Sequence, residues 1–187
     1  MCEIISRKKW QNAYEKARFY RTDMNTGEYW DKVAGICAHV TALDYSERML
    51  SVCEERCFED GADNVSYILA DFMEHDFTDK YDCILTCLNP ATYHPDALDK
   101  MLSLSGGTVV YFSMDTPIDS PDMEPVYCGC NSVRYAEEYL TEKGICYQKI
   151  PYVYEHFMDD GTVRKIDFAY LVIIKDENMD QSKKAIV

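Results

Sequence analysis

Glycine is scarce in this chain, with 8 in 187 residues and no Gly-x-Gly run among them. That shortage excludes an ordinary glycine-rich nucleotide loop, where the backbone must turn through positive φ and approach a ligand without a Cβ clash. Long apolar runs are missing as well. No window approaches the ~20 residues of a membrane span. Met1-Cys-Glu-Ile-Ile-Ser-Arg-Lys-Lys9 has no signal-peptide pattern, so a cytoplasmic protein with no membrane partner is expected. Basic residues are outnumbered, 19 against 33 acidic, for a net charge of −14. Phosphate binding needs a positive face, and Arg7-Lys8-Lys9 is the only tight basic cluster, so nucleic acid is not expected as a partner. No Ser/His/Asp or metal-ligand constellation stands out.

Cysteine is plentiful instead, at nine residues. An odd number dispersed through apolar segments fits reduced thiols better than a disulfide framework. Cys53 and Cys57 share one helix face, and Cys83 and Cys87 share one strand face, so these pairs read as small buried hydrophobes rather than metal ligands. Cys128-Gly-Cys130 is the best candidate for an exposed thiol. With 47% apolar residues the chain suits one domain over 1–187, with an atypical N-terminal segment (1–35) and a polar tail (176–187).

Periodicity predicts alternating elements. Residues 6–18 look helical, and 38–43 read as a buried strand. Ser46 is placed to cap a helix running to about Asp60, with Met49, Leu50, Cys53 and Cys57 inside and Gly61 as its stop. Strands follow at 64–71, 81–88 and 106–113, and helices at 94–104 and 132–143. The last third changes to two β-rich runs, 147–157 and 163–174, joined by the hairpin signal Met158-Asp-Asp-Gly161. Pro151 marks the first of them as an edge strand. The pattern predicts an α/β sheet, mostly parallel, with a C-terminal antiparallel hairpin and the binding crevice at the strand carboxyl ends.

Two strands close on an acid: Val40-Thr-Ala-Leu-Asp44 before Tyr45-Ser-Glu-Arg-Met49, and Val65-Ser-Tyr-Ile-Leu-Ala-Asp71 before Phe72. A carboxylate at such a strand end can accept two hydrogen bonds from neighbouring ribose hydroxyls. Together with Lys80-Tyr-Asp-Cys-Ile-Leu and Gly106-Gly-Thr-Val-Val-Tyr-Phe, these segments resemble the class I S-adenosylmethionine-dependent methyltransferases, a Rossmann-like fold. The resemblance covers about 35–175. It implies S-adenosylmethionine as cofactor, with Asp44 on the ribose, Tyr45 beside the adenine, Asp71 on the adenine amino group and Phe72 next to it. Met49 and Leu88 complete the implied cofactor contacts. Asp44 also suits a helix cap, Asp71 a turn, and Tyr45 and Phe72 plain packing. Asn89-Pro90 matches only part of the motif of amino-group methyltransferases, and His94 suits a solvent-facing loop better than a general base.

The family's glycine-rich loop after the first strand has no counterpart. In one arrangement Phe19–Gly27 is a degenerate strand and loop, with Asn25 and Gly27 at glycine positions. In the other, the first strand and its loop are deleted, and Glu28–Ala34 is the preceding helix. The empty slot then lies beside the Val40–Leu43 strand, and Phe19–Thr22 or a strand swapped from a second chain must fill it. Either way cofactor affinity should fall. The expected function is a methyltransferase acting on a small-molecule acceptor. The alternatives are a non-catalytic binding or partner protein that has lost the cofactor loop and, last, a nicotinamide-dependent oxidoreductase; under any of them a strand-swapped homodimer is one expected assembly. Methyl transfer is an in-line displacement carried largely by alignment, so no catalytic residue is singled out.

Overall fold

The structure is a computed structural model that describes residues 2–5, 34–35, 37–88, 95–115, 133–158 and 161–174. Its strands are β1 (Cys2–Ile5), β2 (Val40–Asp44), β3 (Val65–Leu69), β4 (Tyr81–Cys87), β5 (Ser105–Met114), β6 (Gln148–Phe157) and β7 (Val163–Ile174). Its helices are α1 (Glu47–Glu59), α2 (Pro95–Leu104) and α3 (Val133–Glu142). None of the described helices is long and apolar enough to cross a membrane. The residues group into two compact units, one of 1–85 with 104–107 and one of 86–103 with 108–187. The predicted helix over 6–18 and the loop residues after Asp115 lie outside the described residues.

In the first unit the strand order is β3-β2-β1-β4. All five residues of β2 are buried, as its apolar run predicts for a strand covered on both faces. It pairs in parallel with β3, Val40 beside Val65 and Asp44 beside Leu69. Ser46 caps α1 through a bond from the Met49 N–H, and Leu50, Cys53 and Cys57 form the buried stripe. Full burial of a side chain such as Leu50 contributes about 1.5–3 kcal/mol. Gly61 ends the turn after α1 at φ 71°, which a Cβ would oppose. Asn64 donates two bonds, to the Ala34 and Cys37 carbonyls at 2.9 Å each, and so ties the entry of β2 to the start of β3.

The slot between β2 and β4 is filled from within the chain, by an occupant that sequence reasoning missed. Cys2–Ile5 lies there antiparallel to β2, with Cys2 beside Leu43 and Ile5 beside Val40. Phe19–Thr22, the expected occupant, lies outside the described residues, and no second chain is required. Two buried strands cannot leave their facing N–H and C=O groups unpaired, and Glu-Ile-Ile is a β-prone run able to satisfy them. The reversed direction has a consequence for the site. The chain leaves β1 at the amino end of β2, so whatever follows Ile5 starts from the edge opposite Asp44.

In the second unit the order is β5-β7-β6, all antiparallel neighbours. The β6–β7 hairpin turns at Gly161 (φ 82°), where the Gly161 N–H donates to the Met158 carbonyl. β6 is the edge strand, where Pro151 is tolerated. Phe112 on β5 stacks on Phe168 (5.3 Å between centroids) and meets Tyr170 (4.5 Å) on β7. Helix α3 buries Val133, Ala136 and Leu140, and α2 buries Ala97, Leu98 and Met101.

Candidate functional site at the strand carboxyl ends

In the first unit, the paired parallel strands β2 and β3 each run into an acidic residue, Asp44 and Asp71. Asp44 closes β2 and is only 8% exposed. Its Oδ1 accepts from the Ser46 N–H at 2.8 Å, and its carbonyl accepts from Ala70 N–H at 3.1 Å, which ties the end of β2 to the end of β3. Ser46 is the α1 cap, so Asp44 sits against the positive end of that helix, where an anion is favoured. Asp71 follows β3 and is exposed; its Oδ1 accepts from the Met73 N–H at 2.7 Å and its carbonyl from His75 at 2.9 Å. Both acids are thus held by local turns with their orientation set by backbone amides.

The other candidate residues separate. Tyr45 stands 74% exposed directly after Asp44, a ring face open to a ligand. Met49, in the first turn of α1, is half-buried. Phe72 is turned into the core at 2% exposure, its ring 5.7 Å from Phe77, which packs edge-on against Tyr81. Its side chain is therefore engaged in joining β3 to β4. Leu88 belongs to the second unit, where it follows β4 with φ 48° while its N–H donates to the Phe112 carbonyl at 3.0 Å. A left-handed backbone at leucine is strained, and such strain concentrates at ligand-binding edges. Asn25 and Gly27 lie outside the described residues, as do His94, Cys128 and Cys130.

Several features escaped sequence reasoning. Leu69 and Met73 are exposed apolar side chains flanking the two acids. Tyr67, one turn of the strand earlier, has its phenol pushed above the usual range by burial and then by the Cys57 thiol beside it, so it stays protonated. Cys53, Cys57 and Cys83, by contrast, are buried as the sequence led us to expect of small core residues. In the second unit Asp115 closes β5 as Asp44 closes β2, and that repeated strand-end acid was the available signal. Lys149 donates to Asp115 and to Glu137 at 2.8 Å each. Burial lowers the tendency of Lys149 to stay charged, but those two bonds outweigh it and hold its ammonium above the ordinary lysine range.

The chemistry that these described residues offer is recognition. A buried, amide-held carboxylate suits paired hydroxyls, an exposed aromatic suits a flat ring, and a second acid suits an amino group. These are the residue types that the nucleoside half of S-adenosylmethionine would need. The described residues show no loop leaving a strand end beside Asp44 to hold its methionine half, since β1 runs the other way.

Comparison with known proteins bears on the fold and the family. No curated protein sequence matches the chain. Among solved structures, TehB from Haemophilus influenzae is similar over 89% of the chain at a TM-score of 0.62 and 17% identity, and the chain spans 62% of that protein. The N-methyltransferase NodS from Bradyrhizobium japonicum, solved with S-adenosyl-L-homocysteine, is similar over 81% of this chain and 74% of its own, at a TM-score of 0.57 and 17% identity. Magnesium protoporphyrin IX methyltransferase from Synechocystis, also solved with S-adenosyl-L-homocysteine, covers 89% and 82% at a TM-score of 0.60 and 14% identity. At these identities the likeness establishes the fold. The methyltransferase domain profile matches residues 7–104, more than half of the chain. The chain belongs to the methyltransferase domain family, among the class I S-adenosylmethionine-dependent methyltransferases.

Proposed function

We propose that the protein is an S-adenosylmethionine-dependent methyltransferase acting on a small molecule, with cofactor recognition concentrated on the nucleoside half. One observation carries this: Asp44 is buried at the carboxyl end of β2 with its carboxylate held by the Ser46 amide at the α1 cap. When bound, the cofactor supplies an electrophilic methyl group on a sulfonium. Asp44 would accept from the ribose hydroxyls, Tyr45 would cover one adenine face and Asp71 would accept from the adenine amino group. The protein's part in the reaction is to hold and align, which for a displacement can supply several kcal/mol. The net charge of −14 argues for an acceptor other than nucleic acid.

A second reading, a binding protein that retains the fold without turnover, is favoured by one feature, the reversed β1. Calorimetry with S-adenosylmethionine and S-adenosylhomocysteine on purified protein separates the two. Binding at micromolar concentration, with slow release of S-adenosylhomocysteine in the presence of acceptor candidates, supports the enzyme. No heat with either molecule at high micromolar concentration rejects it and leaves the second reading.

A further inference from the structure

Among the described residues the sheet of the second unit ends at β6, with no strand on its outer side. The Met158 N–H donates to the Thr162 carbonyl at 2.9 Å, one step beyond the Phe157–Val163 pair and in the same register. In an antiparallel ladder, bonded and non-bonded pairs alternate. Pairing to β7 therefore uses the even-numbered residues of β6, and the odd-numbered ones direct their N–H and C=O groups outward. Pro151, which has no N–H to give, stands at an outward position, as that alternation requires.

Proteins that stay single blunt such an edge with proline or lysine. On β6 those residues sit in the first half, at Lys149 and Pro151, and Val153 to Phe157 include neither. Val153 and Phe157 are instead 50% and 73% exposed, and Val163, opposite Phe157 on β7, is 44% exposed. The acid between them, Glu155, is matched by its cross-strand neighbour Lys165 at 3.1 Å. Side chains alternate along a strand and paired residues share a face, so all five stand on one face of the hairpin. A twofold contact meets itself and needs a self-complementary surface. An apolar strip carrying one acid and one base side by side meets that need, because each charge can face its opposite on a second copy. The net charge of −14 repels copies elsewhere, whereas β6 and β7 together hold three basic and two acidic residues. Both features select a second copy of this chain as the occupant.

We propose that β6 is a dimerisation edge: two copies of the chain pair their β6 strands antiparallel through the Val153–Phe157 segment, and Val153, Phe157 and Val163 of both copies form one apolar strip. The contact lies wholly on the second unit and exchanges no strand. It stands whether or not the protein binds S-adenosylmethionine.

Sedimentation equilibrium of the full chain over roughly 1–200 μM, the range suited to a small interface, tests it. The average mass should climb with concentration from 21.7 kDa towards twice that value. In Val153→Lys and in Phe157→Ser the dimer dissociation constant should rise by about tenfold or more, as for loss of a central apolar contact. Lys165→Glu should also weaken the dimer. Adding Glu155→Lys to it restores one charge of each sign and should recover most of the affinity. Amide exchange separates strand pairing from side-chain contact alone. As concentration rises, the outward N–H groups of Val153, Glu155 and Phe157 should exchange about threefold more slowly or better, while the inward ones of Tyr152 and Tyr154 stay unchanged. A wild type that remains monomeric across the range overturns the proposal and leaves the edge to another partner. A dimer whose affinity neither Val153→Lys nor Phe157→Ser alters overturns it too, since the contact then lies elsewhere; should one variant fail to fold, the other carries the comparison. Dimerisation without slower exchange at Val153, Glu155 and Phe157 likewise overturns the strand pairing.

Discussion

Asp44 combines two roles that substitution can separate. Asp44→Ala removes the acceptor of the Ser46 N–H at 2.8 Å, next to the cap of α1. Leaving this part-buried amide without its partner costs about 1–3 kcal/mol. Loss of the negative charge at the helix N-terminus adds about 0.3–1 kcal/mol. A combined loss of about 1.3–4 kcal/mol lowers the thermal midpoint by about 3–16 °C in a chain of this size. Asp44→Asn keeps an acceptor oxygen and loses only the charge, so its midpoint should fall by about 1–4 °C. Ligand binding should divide differently. On the proposed ribose contact both variants would lose charge-assisted bonds worth about 1.5–3 kcal/mol, and should bind S-adenosylhomocysteine roughly 10–150-fold more weakly. The assays are thermal unfolding by circular dichroism and calorimetric titration of the same samples. An Asp44→Ala midpoint within the error of wild type would refute the cap. Unchanged affinity in Asp44→Asn would refute the ribose site while leaving the cap intact.

Three further outcomes are expected. At Leu88 (φ 48°) the usual order of alanine over glycine should invert, with Leu88→Gly more stable than Leu88→Ala by about 1 kcal/mol in denaturant titration; alanine coming out ahead would show that the position is not left-handed. Ile4→Pro deletes a backbone donor in a strand flanked by β2 and β4 and should cost about 3 kcal/mol or more, whereas a neutral effect would remove Cys2–Ile5 from the slot. Lys149 and Tyr67 both have folded pKa values raised above their unfolded ones, so their protonated forms are favoured by the fold. Their contribution is fully present below the unfolded values of about 10 and is lost as pH rises through the folded ones. Melting temperatures should therefore decline above about pH 10. The drop should be smaller in Lys149→Met, whose Asp115, Glu137 and Arg134 neighbours no longer face a titrating ammonium; an identical pH profile in the variant would contradict this.

The elements most legible in the sequence were those whose signals are local. The run Val40–Asp44, the Ser46 cap, the Leu50, Cys53 and Cys57 stripe and the hairpin at Gly161 all depend on residues within a few positions of one another, and each forms as its pattern predicts. The acids closing β2 and β3 were legible for the same reason, since each is set by its own strand and turn. Phe72 was ambiguous because an aromatic beside a strand end serves a ligand or a core equally well, and only its contact with Phe77 shows where the ring goes.

The sequence by itself determined the family, the alternation of strands and helices, the acidic hooks at the strand ends and the absence of a glycine-rich loop. Only the tertiary structure decided what fills the central slot and in which direction, because strand pairing joins residues far apart and no local pattern records it. Cys2–Ile5 and Val40–Leu43 carry no sign in their sequences that they run antiparallel. The Lys149 cluster has the same origin: its three main partners come from the end of β5, from α3 and from β6, and folding alone brings their charges within hydrogen-bonding distance.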